Sequence, residues 1–258
     1  MKITFDTNVW QQIVSPEKYF GDPLYNDYKK INEEIKRKRI VPFISATVFT
    51  LEAINKKDRL AFLQKDKNKI QFNPIETHDS SVKMNIVIGS KPGIHPGNNN
   101  FVKEYLDAAL ILGFNILRLS RIGGISNPQM DNVQYYQMSD SETKITQEVV
   151  EKIEKRQAGT FHAMKIGNKY DSHSWYRGLG KAPETESKRI AKALAEWSDG
   201  DSVGVHIGIE GDYFCTNDRA RGAGSKSVFS KENLRWLEEE YKFKCISPEE
   251  LADFLLHS

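Results

Sequence analysis

Four acidic residues stand where the chain leaves apolar, β-prone runs or begins a helix: Asp6, Glu52, Asp201 and Asp218. Two carboxylates about 4 Å apart repel by around 4 kcal/mol at an effective dielectric of about 20, so a tight group must share protons or hold cations. Mg²⁺ or Mn²⁺ would relieve that repulsion, because both prefer oxygen donors, keep waters and bridge to phosphate. Such an ion would orient a water, lower its pKa and neutralise a phosphodiester during in-line attack, with no histidine or cysteine nucleophile required. Thr7, Asn8, Thr216 and Asn217 adjoin two of the acids. Their hydroxyls and amides would fix carboxylate rotamers or waters.

The elements that must position these groups follow from local patterning. Ile3 and Phe5 alternate into Asp6-Thr7-Asn8, which reads as a short strand ending in an acid and a helix-capping turn. Asp212 to Asp218 repeats the pattern, a β-rich run closing on Thr216-Asn217-Asp218. Two parallel strands side by side would bring Asp6 and Asp218 to one sheet edge, and open α/β sheets bind ligands beyond the carboxyl ends of their strands. Ile40 to Ile44 reads as the second strand, with Glu52 on the helix that follows through Val48, Leu51 and Ile54. Ser198-Asp199-Gly200-Asp201-Ser202 reads as a break between a helix through Ile190, Leu194 and Trp197 and a second one over Val203 to Glu210.

Helical spacing also marks Leu24 to Arg39, Phe101 to Leu112, Thr143 to Arg156 and Lys231 to Glu240. Phe114 to Leu119 and Phe243 to Ile246 read as strands, and Ser247-Pro248-Glu249-Glu250 as a capped helix start. Thr160 to Gly180 has no period and is expected to be a long loop or small appendage. The alternation of strands and helices implies an α/β class.

A chain of 258 residues buries a large core, as one α/β domain with insertions or as two domains. Lys and Arg number 37 against 35 acids, a formal charge of +2, so any basic surface is a local patch. With Cys215 and Cys245 as its only cysteines and no secretory leader, the chain is expected to be a reduced, cytoplasmic protein with two buried free thiols, conceivably on neighbouring strands. The apolar stretch Ala108 to Leu119 contains Asn115 and Arg118 and is too short to span a bilayer.

Phe5-Asp6-Thr7-Asn8, Glu52 after the second strand, an acid ahead of Val203 to Glu210, and Thr216-Asn217-Asp218 together resemble the PIN domain. The resemblance implies a metal-dependent nuclease: a single three-layer α/β/α domain over residues 1–258, its central sheet mainly parallel. It implies that Asp6, Glu52 and Asp218 bind Mg²⁺ or Mn²⁺ in the first, second and fourth positions. Family members carry the third acid three residues before a His-Ile pair, a slot held here by Val203, and of the two nearest acids Asp201 is placed ahead of Asp199. The chain exceeds compact toxin-like members around 65–100 and 131–180, segments expected to shape substrate access.

Arg219, Arg221 and Lys226 lie in a glycine-bearing loop directly after Asp218. Guanidinium groups there would bind phosphate bidentately, although a solvated loop has the same composition. Lys165, Lys169, His173, Trp175, Tyr176, Arg177 and Lys181 interleave bases with aromatics, which suits stacking on unpaired RNA or, more simply, anchoring of the segment. His162 and His173 read as surface residues, and His206 as a core histidine or one behind the acids. The function expected is a divalent-metal-dependent endoribonuclease releasing 5′-phosphate products. The alternatives are a structure-specific DNA nuclease and a weakened RNA-binding or protein-interaction scaffold. A homo-oligomer and an inhibitory protein partner fit the same resemblance.

Overall fold

The alternation at the N-terminus produces the middle strand of the sheet. In the computed structural model, which describes residues 1–64, 68–75, 83–90, 100–119, 127–218 and 226–257, β1 (Lys2–Phe5) buries Ile3 and Phe5 on one face and Thr4 on the other. It is flanked by β2 (Val41–Ser45) and β6 (Tyr213–Cys215), with β5 (Asn115–Leu117) and β7 (Cys245–Ile246) outside them. The order β5-β2-β1-β6-β7 is parallel at every pairing. The chain therefore builds outward from β1 through β2 to β5, then crosses back to lay β6 and β7 on the other side. Between β1 and β6 the winding reverses, and there an open parallel sheet leaves a crevice at its carboxyl edge.

Helices cover both faces, completing three α/β/α layers. On the Ile3 and Phe5 face pack α1 (Trp10–Val14), α2 (Tyr25–Lys36), α4 (Asn100–Leu112) and α10 (Pro248–Leu256). On the opposite face, α5 (Asp140–Lys155), α8 (Ser187–Gly208) and α9 (Lys231–Tyr241) enclose Phe214, Val203, Ile153 and Leu237. Within the 65–100 segment, β3 (Asn68–Ile75) and β4 (Lys83–Ser90) form a separate antiparallel pair running from Asn68↔Ser90 to Ile75↔Lys83. The 131–180 segment contributes α5 directly to a covering layer. No helix among the described residues is long and apolar enough to cross a membrane.

Three local expectations are corrected. The expected break at 198–202 is absent, because α8 runs unbroken for 22 residues. Its glycines are contact residues: a Cβ at Gly200 would sit 3.0 Å from the Gly159 Cα, and at Gly204 and Gly208 it would overlap Val150 and Thr146 of α5. Spaced by four, they form one stripe against which α5 packs at close range. The 160–180 segment, expected as a long loop or a small appendage, is not a loop but α6 (Phe161–Gly167) and α7 (Trp175–Lys181). Gly167 lies against the Trp175 backbone and Gly178 against that of Gly167, while Leu179 and Ala163 join a core with α3 (Arg59–Gln64) and α8. Helices of two turns bonded through glycine leave no apolar period to read. The third correction is at Glu52, which ends a short π-helical turn, Val48–Glu52, in place of a regular helix.

The cysteines do occupy adjacent strands. Register pairs Phe214 with Cys245 and Cys215 with Ile246, so the two thiols face opposite sides of the sheet. Cys215 is a buried free thiol, whereas Cys245 is exposed.

Candidate functional site

Asp6 sits one residue beyond β1 and is held by the backbone at both ends. Its N–H donates to the Cys215 carbonyl at 3.0 Å, extending the β1–β6 ladder, and its own carbonyl accepts from Val9 and Trp10 at 3.1 Å, starting α1. The carboxylate accepts from the Thr7 N–H (2.7 Å), the Asn8 amide (3.0 Å) and the Thr216 hydroxyl (2.6 Å). The Asp218 N–H donates to the Thr216 hydroxyl at 2.9 Å, and the Asn217 N–H donates to Asn8 Oδ1 at 3.0 Å. The turns after β1 and β6 are thus laced into one unit. Asn8 and Thr216 reach the Asp6 carboxylate with their side chains, whereas Thr7 and Asn217 enter the network through backbone N–H groups.

Around this unit the carboxyls crowd. Burial raises the Asp6 pKa and the charge of Asp218 adds to it, against the opposing hydrogen bonds from Thr216, Thr7 and Asn8. Glu52 is pushed up to about 7, first by burial and then by Asp6, while Thr7, Arg59 and Ser198 pull the other way. Its Oε2 is buried without a hydrogen-bond partner. Asp199 is raised well above the usual aspartate value by burial and then by Asp6, Glu52, Glu196 and Asp218. Asp199 thus has Asp6, Glu52 and Asp218 for neighbours, and Asp6 has Asp218, although the four come from separate elements.

Asp201 stands two residues further along α8. It is buried with its Oδ2 accepting from the Trp197 indole N–H at 2.9 Å, one turn back on α8. Once α8 is continuous the difference is geometric: Asp199 precedes His206 by seven residues, about two turns at 3.6 residues per turn, and so shares its sheet-facing side. Asp201 lies well around the helix from that side. Helical phase puts Asp199, rather than Asp201, on the His206 side of α8. Glu196 and Arg59 also escaped a reading based on strand ends, since both act from helices. Arg59, the one buried Lys or Arg among the described residues, donates to the Ile54 carbonyl at 3.1 Å and the Ala191 carbonyl at 2.7 Å, tying the Glu52 turn to α8.

His206 is a core residue beneath the site. Its Nδ1 lies 2.9 Å from the Thr4 hydroxyl, and its ring packs edge-on against Phe214 and Phe243. Burial lowers its pKa to about 3, so it stays neutral. Lys226 is exposed and its ammonium donates to Gln157 Oε1 at 2.9 Å, while Arg219 and Arg221 lie outside the described residues. The aromatics of 165–181 serve as anchors: Trp175 packs edge-on against Trp197, and Lys181 pairs with Asp171 at 2.7 Å.

The oxygen donors are of the type a hard divalent cation takes: carboxylates from four elements, one of them, Glu52 Oε2, buried without a hydrogen-bond partner. Among the described residues no group of three or more His, Cys, Asp or Glu side chains is placed so that it could hold a metal ion. Compared with protein-family models, curated proteins and solved structures, the chain matches none.

Proposed function

We propose that the protein is a divalent-metal-dependent endoribonuclease with a PIN-like site. The reading rests on one observation: the turns after β1 and β6, at the reversal of a parallel sheet, are laced together by Asn8 and Thr216 around the buried Asp6 carboxylate, with the unpartnered Glu52 Oε2 buried nearby. Burying uncompensated carboxylates together costs stability, and a site for Mg²⁺ or Mn²⁺ gives that cost a purpose. A bound ion would supply water activation and neutralisation of charge on the scissile phosphate.

The chain's own residues have distinct parts. Asp6 is presented in one rotamer by Thr7, Asn8 and Thr216, so its oxygens keep their aim. Glu52 turns an unpartnered oxygen inward, and Arg59 keeps its turn attached to α8. Exposed Asp218 closes the solvent side, from which RNA would approach.

Cleavage of labelled single-stranded RNA with Mn²⁺ tests this reading. Asp6→Asn and Asp199→Asn should each lower the rate by about 100-fold or more, while Asp201→Asn should keep activity within a few fold. Equal loss in all three, or full activity in the first two, would refute it. A parallel panel of single-stranded and flapped DNA separates RNA from DNA cleavage.

A further inference from the structure

α8 carries a line of charged residues past the acids. His206 lies beside Thr4 within β1, and Asp199 has Asp6, beyond the end of that strand, for a neighbour. The residues of α8 before Asp199 therefore project past the carboxyl edge of the sheet. Lys192, Glu196 and Asp199 follow one another at spacings of four and three, on one face of the helix. Lys192 is exposed and stands about 10 Å along the helix axis from Asp199.

Two further segments bring bases to the same place. α6 contributes Ala163 and Ile166 to one core with Ile190 and Leu194 of α8, which leaves His162 and Lys165, one turn apart, towards the outside. His162 Nε2 lies 3.1 Å from the Lys226 carbonyl, and the Lys226 ammonium donates to the uncharged Gln157 side chain at 2.9 Å. The next residue, Ser227, hydrogen-bonds Glu196, whose pKa is raised by burial and drawn back by Ser227, His162, the Val228 N–H and Lys192. His162, Lys192 and the Lys226 segment thus meet around Glu196, which itself neighbours Asp199.

Other bases of these helices and of α5 and α7 are neutralised. Lys169 and Arg189 pair with Glu186, Lys181 with Asp171, and Arg156 with Glu232. Lys165, Lys192 and Lys226 are exposed, and among the described residues no ion pair joins any of them to an acid. Glu196 stands among them as an acid, with burial favouring its neutral form.

We propose that Lys165, Lys192 and Lys226, with His162, form a strip that holds the phosphate backbone of an RNA strand and leads it to the acids. The inference rests on the nuclease reading for what lies at the end of the strip, and adds where the strand is gripped. A carboxylate site repels phosphates, and a row of lysines beside it offsets that repulsion. An acidic protein would meet the same charges, but the core of a protein interface is apolar and aromatic. Among the described residues, no exposed large apolar side chain lies on α6 or α8.

Fluorescence anisotropy of labelled single-stranded RNA, with the intact chain in chelator over a salt series, tests this. Each phosphate neutralised on a single strand contributes about 0.7 to the slope of log affinity against log salt. Lys165→Gln/Lys192→Gln should therefore take about 1.4 from the wild-type slope and weaken binding by about tenfold or more at low salt. Lys29→Gln/Lys36→Gln removes the same charge from α2, on the other face of the sheet, and should keep the wild-type slope. Circular dichroism checks that each variant folds. No RNA binding by wild-type protein, or equal losses in the two double variants, would overturn the proposal. Polyglutamate binding as tightly as RNA, with the same loss in Lys165→Gln/Lys192→Gln, would assign the strip to an acidic protein, against this inference. Because the assay runs without metal, it is separate from cleavage. RNA binding that follows the strip, with no Mn²⁺-dependent cleavage, would sink the nuclease reading alone. Cleavage with an unaltered slope in Lys165→Gln/Lys192→Gln would sink this inference alone.

Discussion

Asp199 and Glu52 are where side-chain chemistry and stability oppose each other. A carboxyl whose folded pKa lies above its unfolded value binds its proton more tightly when folded. The metal-free fold therefore loses stability as pH rises from the unfolded value through the raised one. For Glu52 that window runs from 4.5 to about 7. His206 acts with the opposite sign: held neutral with a pKa of about 3, it costs stability as pH falls from 6.5 toward that value. Asp199→Asn removes a repelling charge, so in chelator it should melt higher than wild type at pH 8, by about 2–4 °C for each 1 kcal/mol gained. The gap should narrow toward pH 5. Thermal melts in chelator at the two pH values check this, and an unchanged or lower melting temperature at pH 8 would mean that Asp199 bears no uncompensated charge.

The α5–α8 pair is packed through the glycines of α8. Glycine usually costs a helix interior about 1 kcal/mol relative to alanine, so replacing one normally helps. Here the Cβ would collide with Val150 at Gly204 or with Thr146 at Gly208. Gly204→Ala should therefore destabilise by about 1–3 kcal/mol through overpacking, whereas Gly21→Ala, with nothing within 4 Å of the added carbon, should be near neutral. Urea denaturation of the two variants distinguishes the cases. The same helix pair explains what patterning could and could not reveal. Ser198 to Ser202 is built of residues that end helices in isolation, yet α8 continues through it, with the turn residue Gly159 close against Gly200 and α5 against Gly204 and Gly208. With the break removed, the phase from His206 back to Asp199 is readable from residue numbers alone.

At the scale of the whole molecule, the proposed cation is a ligand of the folded chain alone, because its carboxylates come from elements far apart in sequence. Mn²⁺ should then raise the melting temperature of wild-type protein in step with its concentration, by the linkage between binding and folding. It should do little for Asp6→Asn, and equal shifts in both proteins would indicate ion binding elsewhere. The amino acids alone determined the strand-to-acid endings at Asp6 and Asp218, the orienting Thr and Asn beside them, and the strand and helix alternation that builds an α/β sheet. These rest on period and turn chemistry, which are local. Tertiary structure alone decided that Asp199 lies on the His206 side of a continuous α8 while Asp201 bonds Trp197, that 160–180 folds as two helices, that Arg59 is buried, and that the thiols of Cys215 and Cys245 face apart. Each of those depends on which backbone lies a few ångströms away, and that neighbour comes from a distant part of the chain.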